Sequence, residues 1–335
     1  MSEMIVKPIK KEATEVKTTS RRSAKALDQF ITFGAVIALF IFFSITARNF
    51  FTVRSVLSLI LQTSTVTLMG IGVTFAIITG GIDLSIGSVV ALTGTVAVMA
   101  AIAGIPIWLS WGIGLLVGVA CGLLNGLMIT QLKLPPFIAT LGMMMVARGV
   151  ALTITNANAW PAPDAFGALG NDSVFGTGSQ FPGIPYPVLI MIAAAIIFNF
   201  ILKKTRIGRY TYAVGSNEEA ARLSGIKVGQ IKIVSYIFCG LLAGLVGVIL
   251  ASRMVTSQPN SAVGYELNAI AAAVIGGTSL MGGVGTVGGT VIGSFIIGIL
   301  TVGLTMAGAN YFMQQIVIGL VVIGAVTIDQ LKGRK

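Results

Sequence analysis

The stretch IITGGIDLSIGSVVALTG, residues 77–94, ends one apolar run and starts another through a Gly-Gly pair, with a single acid, Asp83, between them. An ionised aspartate at the centre of a bilayer costs at least roughly 2.5–3.5 kcal/mol, so an acid in such a setting needs a reason. Two reasons fit. Asp83 can accept orphan amides as the N-cap of a span beginning near Leu84, or it can line a pathway or couple an ion. A second stretch, AVIGGTSLMGGVGTVGGTVIG (273–293), repeats the layout. An apolar span leads to a Gly-Gly pair, then to a polar pair (Thr278 and Ser279, matching Asp83 and Ser85), then to a helix of small residues. Internal repeats of this kind are common in transporters, where the pathway runs at the repeat interface beside broken helices.

Outward from these two stretches the chain is apolar almost throughout. Of its 335 residues, 55% are hydrophobic and 10% charged, and the mean hydropathy is +0.94. Soluble globular chains carry about 25% charged residues, so this one lacks the polar surface for a water-facing body. A helix needs about 20 apolar residues to cross the hydrocarbon core. Ten runs are candidates: 28–47, 56–79, 84–104, 106–130, 135–157, 187–202, 230–250, 265–282, 286–307 and 311–331. The glycine-rich stretches near 80–87 and 276–289 are candidates for broken or re-entrant backbone. The runs are too long and continuous for barrel strands. The expected fold class is an all-α integral membrane protein of about ten transmembrane helices in two related halves, with a basic tail (1–26) before the membrane domain (27–335).

Charge sets the expected orientation. The tail, the interior loop 203–232, Lys133 and the C-terminus fall on one side by parity and hold 18 of the 22 basic residues. Arg48, Arg54 and Arg253 fall on the other side, and Arg148 lies inside a span. The positive-inside rule makes the basic side, with both termini, cytoplasmic. The tail lacks a small-residue cleavage site and does not read as a signal peptide. Its charge suits orientation and anionic lipid, and no nucleic-acid partner is expected.

Several chemistries are excluded. The chain has no histidine, which removes His-based catalysis, proton relays and His metal sites, and no metal site is expected. Cys121 and Cys239 lie in apolar runs and read as packing residues. No G-x-x-x-x-G-K-[ST] phosphate loop occurs. GVGTVG (283–288) matches G-x-G-x-x-G but joins two spans, with no acid until Asp329, so it does not read as a dinucleotide site. No catalytic residues are expected. Glycines recur every fourth residue at Gly114, Gly118, Gly122 and Gly126, again at Gly285, Gly289 and Gly293, and at Gly240 and Gly244, which signals close helix packing.

Three further sets of residues are candidates. Within the basic loop 203–232, Asn217 reads as the N-cap of a short helix, EEAARLS, closed by Gly225; this is either a docking element for a soluble partner or a solvated connector. The loop 158–186, rich in Pro, Gly and aromatics with Asp164 and Asp172 and no basic residue, suits an external docking surface. Arg148 can pair with an acid, hydrogen-bond loose carbonyls or snorkel outward, and Glu266 suits a helix first turn.

Four segments resemble a known family: GVTFAIITGGIDLSIGSVVALTG (72–94), LPPFIATLGMMMVARGV (134–150), RIGRYTYAVGSNEEAARLSGIKV (206–228) and YELNAIAAAVIGGTSLMGG (265–283). Together they resemble the permease subunits of bacterial ABC importers of the ribose/xylose/arabinose/galactose type. The resemblance spans about residues 30–330 and leaves the tail outside. It implies a monosaccharide permease in the bacterial cytoplasmic membrane, paired with a second permease chain. Cytoplasmic ATPase subunits would carry the ATP and Mg, and an extracytoplasmic binding protein would deliver the sugar. It implies a coupling helix at Asn217, Glu218, Glu219, Ala220, Ala221, Arg222, Leu223, Ser224 and Gly225. Polarity within spans nominates Asp83, Ser85, Asn125, Asn156, Thr278 and Ser279 for the pathway, together with Thr79, and the loop 158–186 nominates Trp160, Asp164 and Asp172 for binding-protein contact. An ABC permease for a nucleoside, autoinducer-2 or a branched-chain amino acid is the alternative. An ion-coupled secondary transporter working through Asp83 or Glu266 is a further one.

Overall fold

The computed structural model describes residues 32–176 and 183–333. The tail 1–26 and residues 177–182 of the external loop lie outside the described residues. The chain is mostly helical: α1 (Thr32–Thr46), α2 (Val53–Ile78), α3 (Ile86–Ile102), α4 (Ile107–Thr130), α5 (Pro136–Thr155), α6 (Ala168–Asn171), α7 (Tyr186–Lys204), α8 (Arg206–Ser216), α9 (Glu218–Leu223), α10 (Val228–Met254), α11 (Tyr265–Ile275), α12 (Val287–Met306) and α13 (Tyr311–Gly333). Two short antiparallel pairs lie in the connections. β1 (Trp160–Pro161) pairs with β4 (Thr256–Ser257), and β2 (Ser173–Val174) pairs with β3 (Ile184–Pro185).

Among the described residues six helices, α2, α4, α5, α7, α10 and α12, are long and apolar enough to cross a membrane. Two expected spans come out short. The run 84–104 becomes α3, 17 residues beginning only at Ile86. The run 265–282 becomes α11, whose 11 residues rise about 16 Å, half a bilayer core. Glycine explains the shortfall. After α11 the chain turns at Gly277, and at Gly282 and Gly283, all with positive φ, and helix resumes only where the Thr286 side chain caps α12 by accepting from the Gly289 amide at 3.0 Å.

The helix α10 runs through the middle and packs on α2, α3 and α4. Its seam with α4 is backbone against backbone. A methyl group at Gly118 would strike the Gly240 carbonyl, and one at Gly122 would strike the Tyr236 carbonyl. Gly126 lies over Ile233, and Gly244 over Leu115. The every-fourth glycine series therefore faces a helix and not lipid, and a large side chain in it would overpack the seam. The same device joins α11 to α12, where Gly289 meets the Gly276 carbonyl and Gly293 the Ala272 carbonyl. A triangle of rings, Phe75, Phe198 and Phe238, with centroids 5.1–5.8 Å apart, fastens α2, α7 and α10 edge to face. Cys121 and Cys239 are both buried and free of disulfide.

Candidate functional site

The basic loop 203–232 is more ordered than its polarity suggests. Sequence reasoning expected one short helix there, and the structure contains two. Thr205 opens α8 by accepting from the Gly208 amide at 3.4 Å, and α8 buries Gly208, Thr211 and Val214 along one face. The spacing of three places these residues on one side of the helix, a signal legible in RIGRYTYAVGS but missed. The Asn217 side chain then caps α9, its Oδ1 accepting from the Ala220 amide at 2.9 Å. Gly225, at φ +82°, lets the Ile226 amide reach the Ala221 carbonyl at 3.1 Å and close the helix. These ends fall where the sequence put them.

Three ion pairs shape α9. Glu218 accepts from Lys232 Nζ at 2.6 Å, tying α9 to the first turns of α10, and from Arg222 at 3.3 Å. Arg222 also lies 3.6 Å from Glu219. Ala221 is turned inward. The outward face carries Glu219 and Arg222, with side chains 69% and 61% exposed, and Leu223, 82% exposed.

Directly behind α9, α8 rests on both glycine-rich breaks. A methyl at Gly215 would collide with the Ile78 carbonyl at the end of α2 and the Gly283 amide, so only glycine fits. The Gly283 amide donates to the Ile78 carbonyl at 2.8 Å, which joins the break after α2 to the break before α12. Tyr212 donates its hydroxyl to the Gly285 carbonyl at 2.6 Å. Burial pushes the Tyr212 phenol above its ordinary range, so it stays protonated and donating. Tyr212 and Gly215 lie three residues apart on one helix face and were not among the sequence-derived candidates.

The pathway candidates separate into groups. Asp83 is 1% exposed, and its Oδ1 accepts from the Ser85 amide at 2.9 Å and the Ser85 hydroxyl at 2.6 Å. Asn125 on α4 donates to the Ser85 hydroxyl at 2.9 Å. Asp83, Ser85 and Asn125 thus form one buried chain of hydrogen bonds; the N-cap of α3 is Ser85, without a side-chain cap bond, so Asp83 fixes the residue before the helix and is not the expected N-cap. Thr140 on α5 adds a hydrogen bond to the Ile82 carbonyl at 3.2 Å. The Tyr236 ring abuts Gly81 on the other side. Thr79 closes α2 by donating to the Ala76 carbonyl at 2.8 Å. Thr278 is buried against Gly285. The Ser279 amide donates to the Val284 carbonyl at 3.0 Å and so shapes the turn of the second break. Asn156 is elsewhere, exposed in left-handed conformation as the C-cap of α5.

At the opposite end of the bundle Trp160 is held by its strand pairing and by an indole hydrogen bond to the Thr155 carbonyl at 3.2 Å, yet stays 40% exposed. Asp164 opens a short 3-10 turn, Asp164–Gly167. The Asp172 carbonyl accepts from the Tyr186 amide at 3.1 Å. Arg148 takes the second of its three expected roles: Nη1 donates to the Pro259 and Ser261 carbonyls at 2.6 and 2.8 Å. Glu266 sits in the first turn of α11, as expected. Among the described residues no cluster of three His, Cys, Asp or Glu is placed to hold a metal ion.

A family model described as the branched-chain amino acid transport system / permease component matches residues 55–326. The chain is 43% identical over 302 residues to the ribose import permease protein of Escherichia coli K12, covering 89% of this chain and 92% of that one. It is 37% identical over 325 residues to the D-allose transport system permease protein of the same organism, covering 96% and 97%. It is 36% identical over 297 residues to the L-arabinose ABC transporter permease protein of Azospirillum brasilense, covering 88% and 86%.

Proposed function

The chain belongs to the family of branched-chain amino acid transport system permease components, and from that premise we propose that it is the membrane-embedded permease subunit of an ATP-driven monosaccharide importer. The relatives it matches over most of their length are named for ribose, allose and arabinose transport. ATP and Mg belong to a separate ATPase subunit, in keeping with the absence of a phosphate loop from the sequence.

The observation that carries the mechanism is the seating of α8 and α9. The exposed face of α9 (Glu219, Arg222, Leu223) is the docking surface for the ATPase. Behind it Gly215 and Tyr212 touch the break after α2 and the break before α12. A push on α9 therefore reaches both halves of the bundle through rigid, hydrogen-bonded backbone. That is the bistable linkage an alternating-access cycle needs. Ten membrane-crossing or membrane-entering helices, with both termini on the basic cytoplasmic side, are supported by the parity of the charged segments. A second copy of this chain completes the pathway, and the face bearing Trp160, Asp164 and Asp172 receives a sugar-loaded binding protein outside the bacterial cytoplasmic membrane.

Gentle solubilisation from the native membrane, with ATPase activity assayed on what co-purifies, tests this reading. An ATP-hydrolysing partner is expected, and it should be lost when residues 217–225 are altered. Solute uptake by the chain alone in ATP-free vesicles would overturn the proposal in favour of ion coupling through Asp83 or Glu266.

A further inference from the structure

The half-length of α11 has a consequence at mid-depth. Along α10, whose 27 residues rise about 40 Å, Gly81 packs at the level of Tyr236, and Val90 and Gly94 at the level of Gly247. Gly87 therefore lies between those levels, near the middle of the bundle. A methyl there would strike the Glu266 carboxylate and the Ala262 carbonyl, so the first turns of α3 and α11 meet at this depth. Beside them opens a wide-mouthed groove of about 450 Å³, in volume within the range of about 300–1,000 Å³ typical of small-molecule sites, with Met145 67% exposed at its rim. Its lining includes Ser88, Met144, Met145, Arg148, Leu152 and Glu266.

Two opposite charges at mid-depth are costly against lipid and persist where they face water or solute. Arg148 spends Nη1 on the Pro259 and Ser261 carbonyls, which holds the descending connection to α11 over the groove and leaves further guanidinium donors. Glu266 Oε1 accepts from the Gly264 amide at 3.2 Å, and among the described residues no protein donor bonds Oε2. The groove thus offers a carboxylate acceptor, guanidinium donors and the Ser88 hydroxyl, beside an apolar wall of Met144, Met145 and Leu152. Adjacent hydroxyls on a carbon ring, each both donor and acceptor, match that set, and the apolar wall matches the C–H face. The side-chain charges cancel, so a charged solute gains no net attraction.

We propose that this groove, where the first turns of α3 and α11 meet beside Arg148, is a binding station for a neutral polyhydroxylated solute on its way across the membrane. Glu266 and Ser88 are its specificity-determining residues. The proposal rests on the transport reading above and adds to it a place and a recognition chemistry.

The test uses the assembled transporter in proteoliposomes. Because Cys121 and Cys239 are buried, Met145→Cys supplies one reactive thiol at the groove it lines and Leu116→Cys an equally exposed one on α4 (67% and 68%), away from the groove, so the pair tests whether the groove and not the membrane covers Met145. A water-soluble methanethiosulfonate should label the first and spare the second. The most effective of D-ribose, D-allose and L-arabinose should slow labelling about tenfold at about ten times its dissociation constant, and D-gluconate, an anion, should not. Glu266→Gln and Ser88→Ala, each made in the Met145→Cys background, should each weaken that protection while leaving the thiol reactive. An unreactive Met145→Cys, protection by no sugar, or protection unchanged in both variants would each overturn the station. ATP-driven uptake by the unmodified transporter, measured in parallel, separates the two claims. Uptake with no protection sinks only the station, and no uptake of any of the three sugars sinks the monosaccharide reading along with it.

Discussion

The two breaks in the helical bundle resemble each other in sequence and differ in what holds them. The first, between α2 and α3, is fastened by side chains: Asp83 takes the Ser85 amide and hydroxyl, and Asn125 adds a third bond. The second, between α11 and α12, is longer and is fastened largely by backbone and by neighbours. Ser279 pairs with Val284, Ile78 accepts from Gly283, and Tyr212 donates to Gly285. Both breaks are also tied to neighbours: the first to Asn125 on α4 and Thr140 on α5, the second to the end of α2 and to α8. Only the second break bonds to α8, through Tyr212 and Gly285, so under the proposed function it is the break that a push on α8 and α9 reaches most directly.

The sharpest way to break this comparison is Gly215→Leu. Its side chain cannot avoid the backbone of both Ile78 and Gly283, so α8 must lift off. Overpacking of this kind typically costs about 1–3 kcal/mol and more when the obstacle is backbone. The expected outcome is loss of transport with little assembled complex, read by size exclusion and uptake. A variant that assembles and transports normally would show that α8 does not bear on the breaks.

Asp83→Ala probes the first break. It removes the acceptor from a buried hydroxyl and a buried amide, at about 1–3 kcal/mol for groups left unsatisfied. A lower unfolding temperature in detergent is expected, with coupling of the surviving protein unchanged, meaning the same ATP hydrolysed per solute moved. A change in that ratio without loss of stability would move Asp83 from scaffold to pathway.

Much of this was legible in the chain. The Gly-Gly pairs announced both breaks, and the glycine series announced a tight seam, because only glycine permits backbone contact. Asn217 and Gly225 marked both ends of α9, since capping is local chemistry. The length of α11 was less legible. Its apolar residues run on through Gly276 and Gly277 with no change in hydropathy, and the chain turns there because of backbone geometry. Tyr212 escaped notice for another reason: its partner is a carbonyl 73 residues away, and no local pattern encodes which carbonyl a tyrosine will find. The grouping of Asp83 with Asn125, and its separation from Asn156, likewise depends on how helices pack and not on the polarity that nominated all three.

Tyr212→Phe tests the second break with a smaller change. It deletes one hydroxyl and leaves the ring, at about 1 kcal/mol for a typical hydrogen bond. Because burial raises the Tyr212 phenol, the wild-type bond should hold across the neutral range and up to its usual ionisation region. The expected effect is futile ATP hydrolysis, more ATP per solute with assembly intact, measured in proteoliposomes with the partner ATPase. An unchanged ratio would mean the Gly285 contact is only packing.

The smallest effect on stability and the most discriminating for partner binding is expected on α9. Its ion pairs differ in kind. The Lys232–Glu218 pair is part-buried, with the lysine side chain 19% exposed, and holds the helix down. The Arg222–Glu219 pair is exposed, and exposed pairs contribute about 0–1 kcal/mol. Glu219→Ala together with Arg222→Ala should therefore leave thermal stability within about 0.5 kcal/mol. The same change strips charge from the face that the ATPase would cover, where complementarity governs encounter. Weaker recovery of ATPase activity with the purified permease, more pronounced at low salt where the wild-type charges are least screened, is the expected result. Equal recovery would leave Leu223 as the contact that matters, and Leu223→Ala would then be the substitution that separates a docking helix from a connector.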